Sequence, residues 1–237
     1  MWTKSIVESS SPGRHLLCVP WAGAGPEAFF PWRAALPTGV AMSAVHLPGR
    51  STRYRAPLSS AIPDIVDRVE EALLAAPAPP TLIFGHSYGA VLAFEICRRL
   101  ERAGRSPHRL VVSGSSAPPL VVGEEKVAHL PTSEFLAKVG AYGGLAPELL
   151  ANQHLLSVFV PILRADFAAL ESYTFDDPRS VACPIVVLSG RSDPLVNQVG
   201  LDAWHQVAGS RCEVHLFEGG HFYFAGQERR VLDAILG

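Results

Sequence analysis

The segment Gly85-His86-Ser87-Tyr88-Gly89 has the spacing Gly-x-Ser-x-Gly, with an apolar run before it and a helical pattern after it. In a strand-turn-helix setting this spacing makes a sharp elbow that lifts a serine hydroxyl above the sheet. The flanking glycines allow the tight turn and let strand and helix pack closely. Ser87 is therefore the candidate nucleophile. A serine hydroxyl attacks poorly unless a base takes its proton and an acid orients the base. Asp193, in Ser189-Gly190-Arg191-Ser192-Asp193-Pro194, follows the apolar run 185–189. His221, in Glu218-Gly219-Gly220-His221-Phe222, follows the run 213–217. Each lies at the C-terminal end of a strand pattern, where open α/β sheets bind ligands. His205 and Asp202 fall inside a helical pattern and His215 inside a strand. His15, His46, His108, His129 and His154 have no comparable acid-and-strand setting.

Acyl chemistry also needs two donors for the oxyanion. The amide after the nucleophile supplies one, here Tyr88. The loop after an early strand supplies the other. That loop is Pro20-Trp21-Ala22-Gly23-Ala24-Gly25, and Ala22 is the first choice, with Trp21 next. No metal-ligand spacing and no dinucleotide fingerprint is read as competing with this constellation, so no cofactor and no metal are expected.

The elements that must position these residues follow from periodicity. Runs 15–20, 41–47, 81–84, 110–113, 185–189 and 213–217 read as strands, several apolar throughout, as strands buried on both faces are. Helical patterns cover 62–75, 89–103, 195–207 and 227–236. After Ser87 the stripe Leu92, Ile96, Leu100 recurs every four residues. Strand-helix alternation predicts an α/β fold with a mostly parallel, doubly wound sheet. Residues 117–175 interrupt it with helical patterns at 133–139, 147–158 and 162–173, an expected helical lid insertion in a single domain, 1–237.

The chain has 237 residues, 48% hydrophobic and 18% charged, with a net charge of −2. That supports a large core and gives no reason to expect nucleic acid. The N-terminal residues lack the apolar run of a signal peptide, and no stretch reads as a membrane span. A cytoplasmic protein with no membrane partner is expected. Cys18, Cys97, Cys183 and Cys212 form no C-x-x-C pair and are expected as reduced, mostly buried thiols.

On five segments the chain resembles the stand-alone (type II) thioesterases of polyketide and nonribosomal peptide pathways, which have the α/β-hydrolase fold. They are Cys18-Val19-Pro20-Trp21-Ala22-Gly23-Ala24, Leu47-Pro48-Gly49-Arg50-Ser51-Thr52-Arg53, the elbow 85–89, Pro161-Ile162-Leu163-Arg164-Ala165-Asp166 with Tyr173, and Gly220-His221-Phe222. The elbow would suit any serine hydrolase; the Pro-Gly-Arg and Leu-Arg-Ala-Asp segments are more specific. The family often has two adjacent glycines where this chain has Gly23-Ala24, and an aliphatic residue where it has Tyr88. The tyrosine leaves the amide unchanged and is expected to alter the acyl pocket. The resemblance implies cleavage of acyl or aminoacyl thioesters from the phosphopantetheine arm of an acyl or peptidyl carrier protein. Leu136, Leu145, Phe159 and Phe167 are then candidate pocket linings, and Arg50, Arg53 and Arg55 a candidate docking cluster for an acidic carrier. Arg164 and Asp166 read as structural, ion-paired residues. The triad alone leaves a small-molecule carboxylesterase, lipase-like enzyme or peptidase as the alternative. A noncatalytic binding protein is disfavoured because all three triad residues are present in order.

Overall fold

The unbroken apolar runs become the inner strands of a seven-stranded sheet in the computed structural model, which describes residues 1–9, 13–121, 125–145 and 147–237. The strands are β1 (Thr3–Val7), β2 (Arg14–Val19), β3 (Val40–Val45), β4 (Leu82–His86), β5 (Arg109–Ser113), β6 (Ile185–Gly190) and β7 (Cys212–Phe217). Their order across the sheet is β1-β3-β2-β4-β5-β6-β7, and β1 alone runs antiparallel to its neighbour. Leu17, Val19 and Ile83 enter the core on one face, while Leu16, Cys18 and Phe84 enter the core on the other. Two covered faces require apolar residues at both parities of each strand, which is why these runs do not alternate.

The helices are α1 (Ile62–Leu74), α2 (Tyr88–Arg102), α3 (Pro118–Val121), α4 (Thr132–Ala141), α5 (Pro147–Leu150), α6 (Gln153–Glu171), α7 (Gln198–Asp202) and α8 (Glu228–Leu236). Ile62, Ile65, Val66, Val69 and Leu73 make the buried stripe of α1, which packs on α2. Each such side chain contributes about 1.5–3 kcal/mol when fully buried. The opposite face is covered by α8 and a 3-10 segment, Pro26–Ala34, through Val231, Leu232, Phe29 and Trp32.

Three expectations change in detail. Strand β1 gave no pattern, because Ile6 alone of Thr3-Lys4-Ser5-Ile6-Val7 is buried and pairing with β3 orders the segment. The helix expected at 195–207 starts late and continues as a 3-10 segment, Ala203–Val207. Asp193 Oδ1 accepts the Leu195 amide at 2.9 Å, and Asn197 Oδ1 accepts the Gly200 amide at 2.9 Å as the helix cap. Between β5 and β6, the break expected between the helical patterns 147–158 and 162–173 falls instead just before α6, where Asn152 Oδ1 caps the helix through the Leu155 amide at 3.1 Å. Pro161 sits inside α6 on an exposed position, while Ile162, Leu163, Asp166 and Ala169 anchor the following turns. Residues 122–124 and 146 of the expected insertion lie outside the described residues.

Helix α6 is long and apolar enough by composition to cross a membrane, contrary to the expectation that no segment is. Its C-terminal half is packed into this domain, and Asp166 there is ion-paired with Arg50. All four cysteines are free, with Cys212 half-buried and the other three buried. Burial pushes the Cys212 thiol up to about 11.

Candidate active site

Strand β4 and helix α2 meet at Ser87 with no loop between them. The backbone there has φ 54° and ψ −122°, and Ser87 and Ser51 alone among described non-glycine residues have positive φ. Such a conformation costs on the order of 1–3 kcal/mol and persists only where the surroundings enforce it. The enforcement is visible: the Ser87 amide donates to the Ser113 carbonyl at 2.8 Å, and Ala90 N–H to the Ser87 carbonyl at 2.8 Å. The glycines bracketing Ser87 allow the close approach. A Cβ on Gly85 would lie 2.0 Å from the Gly89 carbonyl oxygen, and one on Gly89 2.3 Å from that of Val19.

Asp193 and His221 lie on adjacent loops, just after β6 and β7. The Arg191 amide donates to Phe217 O at 2.8 Å and the Ser192 amide to Gly219 O at 2.9 Å, so the two loops are laced by backbone bonds. His221 Nδ1 and Asp193 Oδ2 are 2.9 Å apart, with side chains only 3% and 0% exposed. Asp193 Oδ1 takes the Leu195 amide, so both carboxylate oxygens are held. Ser87 and His221 line one cavity, of about 300 Å³, together with Ala22 and Tyr88. As the first residue of α2, Tyr88 has an amide with no acceptor inside the helix. The structure thus brings all five sequence-selected residues to one place, Asp193 through its contact with His221.

Several neighbours of this site gave no signal of their own in the sequence. His86 is fully buried, its ring centroid 4.6 Å from that of His221. Its Nδ1 lies 3.0 Å from Ser113 Oγ, which lies 2.7 Å from the Tyr223 hydroxyl. Burial, and after it the proximity of His221, hold the His86 pKa well below its usual 6.5, so the ring is neutral. The only available cue was its place next to Ser87 within the elbow. The Tyr88 ring is also buried, and its hydroxyl has no hydrogen-bond partner among the described residues. Burial, with Asp166 nearby, keeps that hydroxyl protonated.

The far wall of the cavity comes from the helices between β5 and β6. Leu145, Phe159 and Phe167 line it as expected, joined by Val139, Leu163 and Leu170. Leu136 is not among the lining residues, because α4 turns Phe135 and Val139, four residues apart, into the core. The docking cluster is also corrected. Arg50 is buried against Asp166, Arg53 lies over the Trp2 ring at 4.0 Å and bonds the His46 carbonyl, and Arg55 alone of the three is exposed. Of the residues read as ion-paired, Asp166 is so, while Arg164 instead donates to the Ala128 and Leu130 carbonyls.

Among the described residues, Cys97, Glu101 and Cys183 bring three possible metal-ligand atoms within 4.8 Å of one another. The hydrogen bond with Cys183, together with burial, pushes the Cys97 thiol well above its usual range. Glu101 already accepts the amides of Ala182 and Cys183. The Cys97 and Cys183 sulfurs are themselves in hydrogen-bond contact, 3.5 Å apart. The cluster also lies about 15 Å along α2 from Ser87, at 1.5 Å per residue.

Comparison with known proteins adds a separate finding. A family model described as a thioesterase domain matches residues 14–237. The chain is similar to the gramicidin S biosynthesis protein GrsT of Aneurinibacillus migulanus, at 30% identity over 98% of this chain and 91% of that protein. It is similar to the thioesterase PikA5 of Streptomyces venezuelae, at 30% identity over 99% and 84%. The solved structure of YbtT, a type II thioesterase from the yersiniabactin NRPS/PKS biosynthetic pathway, superposes with a TM-score of 0.90. That match has 34% identity and covers 100% of this chain and 97% of the other.

Proposed function

Because the chain belongs to the thioesterase family, and is a thioester hydrolase built on the α/β-hydrolase fold, we propose that Ser87, His221 and Asp193 are its catalytic triad and that it unloads carrier proteins. His221 takes the Ser87 proton while Asp193 holds the imidazole in the required tautomer. Ser87 Oγ attacks the thioester carbonyl, and the Ala22 and Tyr88 amides stabilise the oxyanion. The carbon–sulfur bond breaks, and the pantetheine thiol departs with a proton, leaving an acyl-enzyme. Water, deprotonated by His221, attacks the acyl-enzyme carbonyl and releases the free acid and Ser87. A thiol is a good leaving group, so the first step asks little of His221 as an acid.

The carrying observation is the cavity. The strained Ser87 and the Asp193-paired His221 open into an apolar chamber of about 300 Å³ whose outer wall is α4 and α6. An apolar chamber suits an acyl chain, and helices that both wall it and join β5 to β6 suit a lid. The substrates are acyl or aminoacyl groups on the phosphopantetheine arm of an acyl or peptidyl carrier, removed to edit or unload a polyketide or nonribosomal peptide synthase. Four unpaired thiols support a reducing, cytoplasmic setting.

The test is mass spectrometry of acyl-loaded carrier proteins incubated with the enzyme. The expected result is loss of the acyl mass from the arm. Rapid hydrolysis of small esters with no unloading of any carrier in a broad panel would overturn the substrate assignment.

A further inference from the structure

The triad leaves unused a pair of charges close to it. Arg50 lies on the turn Pro48-Gly49-Arg50 after β3 and Asp166 lies in α6, with side chains 6% and 2% exposed. Arg50 Nη1 donates to Asp166 Oδ2 at 2.6 Å, and Nη2 to Oδ1 at 2.8 Å, a two-point fork. A buried ion pair is weak evidence for stability, because desolvation offsets the attraction. Its purpose is better sought in what the pair holds.

Both partners hold the oxyanion loop. Asp166 Oδ2 accepts the Gly23 amide at 2.7 Å, and Arg50 Nη1 donates to the Ala24 carbonyl at 3.1 Å. Arg50 is itself anchored by Nε on the Pro48 carbonyl at 3.0 Å. Gly23 and Ala24 belong to a tight turn closed by the Ala24 amide on the Trp21 carbonyl at 3.0 Å. The residue between Trp21 and Gly23 is Ala22. Gly23 has φ +80°, a conformation open to glycine. A Cβ there would lie 2.7 Å from Phe159 Cζ, so a second α6 side chain presses on the same turn.

We propose that the Arg50–Asp166 pair is a clamp that aims the Ala22 amide at the substrate oxyanion and ties that aim to the seating of α6. The proposal rests on the catalytic reading above. Both are positioning residues: Asp166 fixes the peptide that follows Ala22, and Arg50 fixes the Ala24 carbonyl. Three N–H donors converge on the two oxygens of Asp166, which is why a carboxylate is required. An asparagine would offer one oxygen and set its own NH₂ against a donor. Since Asp166 and Phe159 lie on the helix that walls the chamber, the oxyanion hole is complete only when that helix is in place.

The experiment uses Asp166→Asn, Arg50→Met and the charge-free double variant Arg50→Met/Asp166→Leu. The double variant leaves no unpaired buried charge, so it keeps the test alive if the single variants do not fold. Three quantities are read: kcat and KM for an acyl-pantetheine thioester, affinity for an alkyl boronic acid, and affinity for the matching pantetheine thioether. The boronate forms an anionic tetrahedral adduct on Ser87 and so reports the oxyanion hole. The thioether has no carbonyl and reports the chamber alone. The expected result is a kcat loss of about 10²- to 10³-fold with KM changed less than about threefold. Boronate affinity falls in parallel and thioether affinity holds. A folded double variant with undiminished kcat and boronate affinity overturns the clamp, as do equal losses for boronate and thioether. If the boronate binds Ser87→Ala as well as the parent enzyme, the catalytic reading has failed instead.

Discussion

The rim of the sheet and the helices above it are built on different principles. At the rim, the chemical groups are held by short hydrogen bonds, most of them to backbone: Ser87 by Ser113, the Asp193 loop by Phe217 and Gly219, and the Asp193 carboxylate by the Leu195 amide and the His221 ring. Above it, α6 buries residues in its second half and leaves Leu155 and Val158 exposed at 48% and 55% in its first. An attacking group and its base must be placed to a fraction of an ångström, which suits the backbone bonds at Ser87 and the doubly held Asp193 carboxylate behind His221. The wall of an acyl chamber needs volume and apolarity, which many side chains supply and which a moving element can provide.

That contrast sets the order of expected effects. Ser87→Ala removes the proposed nucleophile and should lower kcat roughly 10⁴- to 10⁶-fold with folding intact, read by steady-state turnover and circular dichroism. Labelling by a serine-directed phosphonate should vanish with it; continued labelling would point to another serine. Asp193→Asn keeps the geometry but favours the wrong tautomer of His221, for an expected loss near 10⁴-fold in kcat. Near-normal turnover would mean that another acid serves the histidine. On the helical side, Phe167→Ala should act through size. Relative kcat/KM should shift toward longer acyl thioesters by roughly tenfold, with kcat on the best substrate little changed. A large uniform loss in kcat would erase the distinction between the two regions.

Stability offers finer tests. His86 is buried neutral with its pKa depressed, so the unfolded chain binds its proton more readily than the folded one does. The folded state therefore has its full advantage above about pH 6.5 and loses it as pH falls below that value. From pH 7.5 to 5.5 this single group should lower stability by on the order of 1 kcal/mol, measured by urea unfolding. His86→Phe should flatten the slope by that amount; an unchanged slope would show that His86 titrates normally. The smallest effect is expected from Cys97→Ala, in the second half of α2 and about 15 Å from Ser87 along the helix. It should lower Tm by about 2–4 °C for the loss of about 1 kcal/mol of packing, and leave kcat unaltered.

How much was legible beforehand differs between the same two regions. Six of the seven strands and the elbow could be read because their signals are local: short apolar runs, several of them unbroken, and glycines at fixed offsets from Ser87. Strand β1 could not, since Ile6 is its lone buried residue and β3 provides the rest. In the helical segment the patterns 147–158 and 162–173 read as separate, but burial of Ile162, Leu163, Asp166 and Ala169 carries α6 through the gap between them. Arg50 and Asp166 could be quoted as motif residues, yet their partnership spans 116 positions and leaves no periodic trace.

The sequence by itself determined the proposed reaction machinery in outline. Ser87 directly follows β4, and Asp193 and His221 lie within four residues of the ends of β6 and β7; strand ends follow from the local pattern of apolar and turn residues. Tertiary structure decided how those groups are aimed and what surrounds them. It put His86 behind His221, moved Arg50 from a supposed docking surface into a buried fork with Asp166, and kept Leu136 out of a chamber that Val139 lines. These are contacts between residues far apart in the chain, selected by packing and charge pairing across elements. No window of neighbouring residues contains that information.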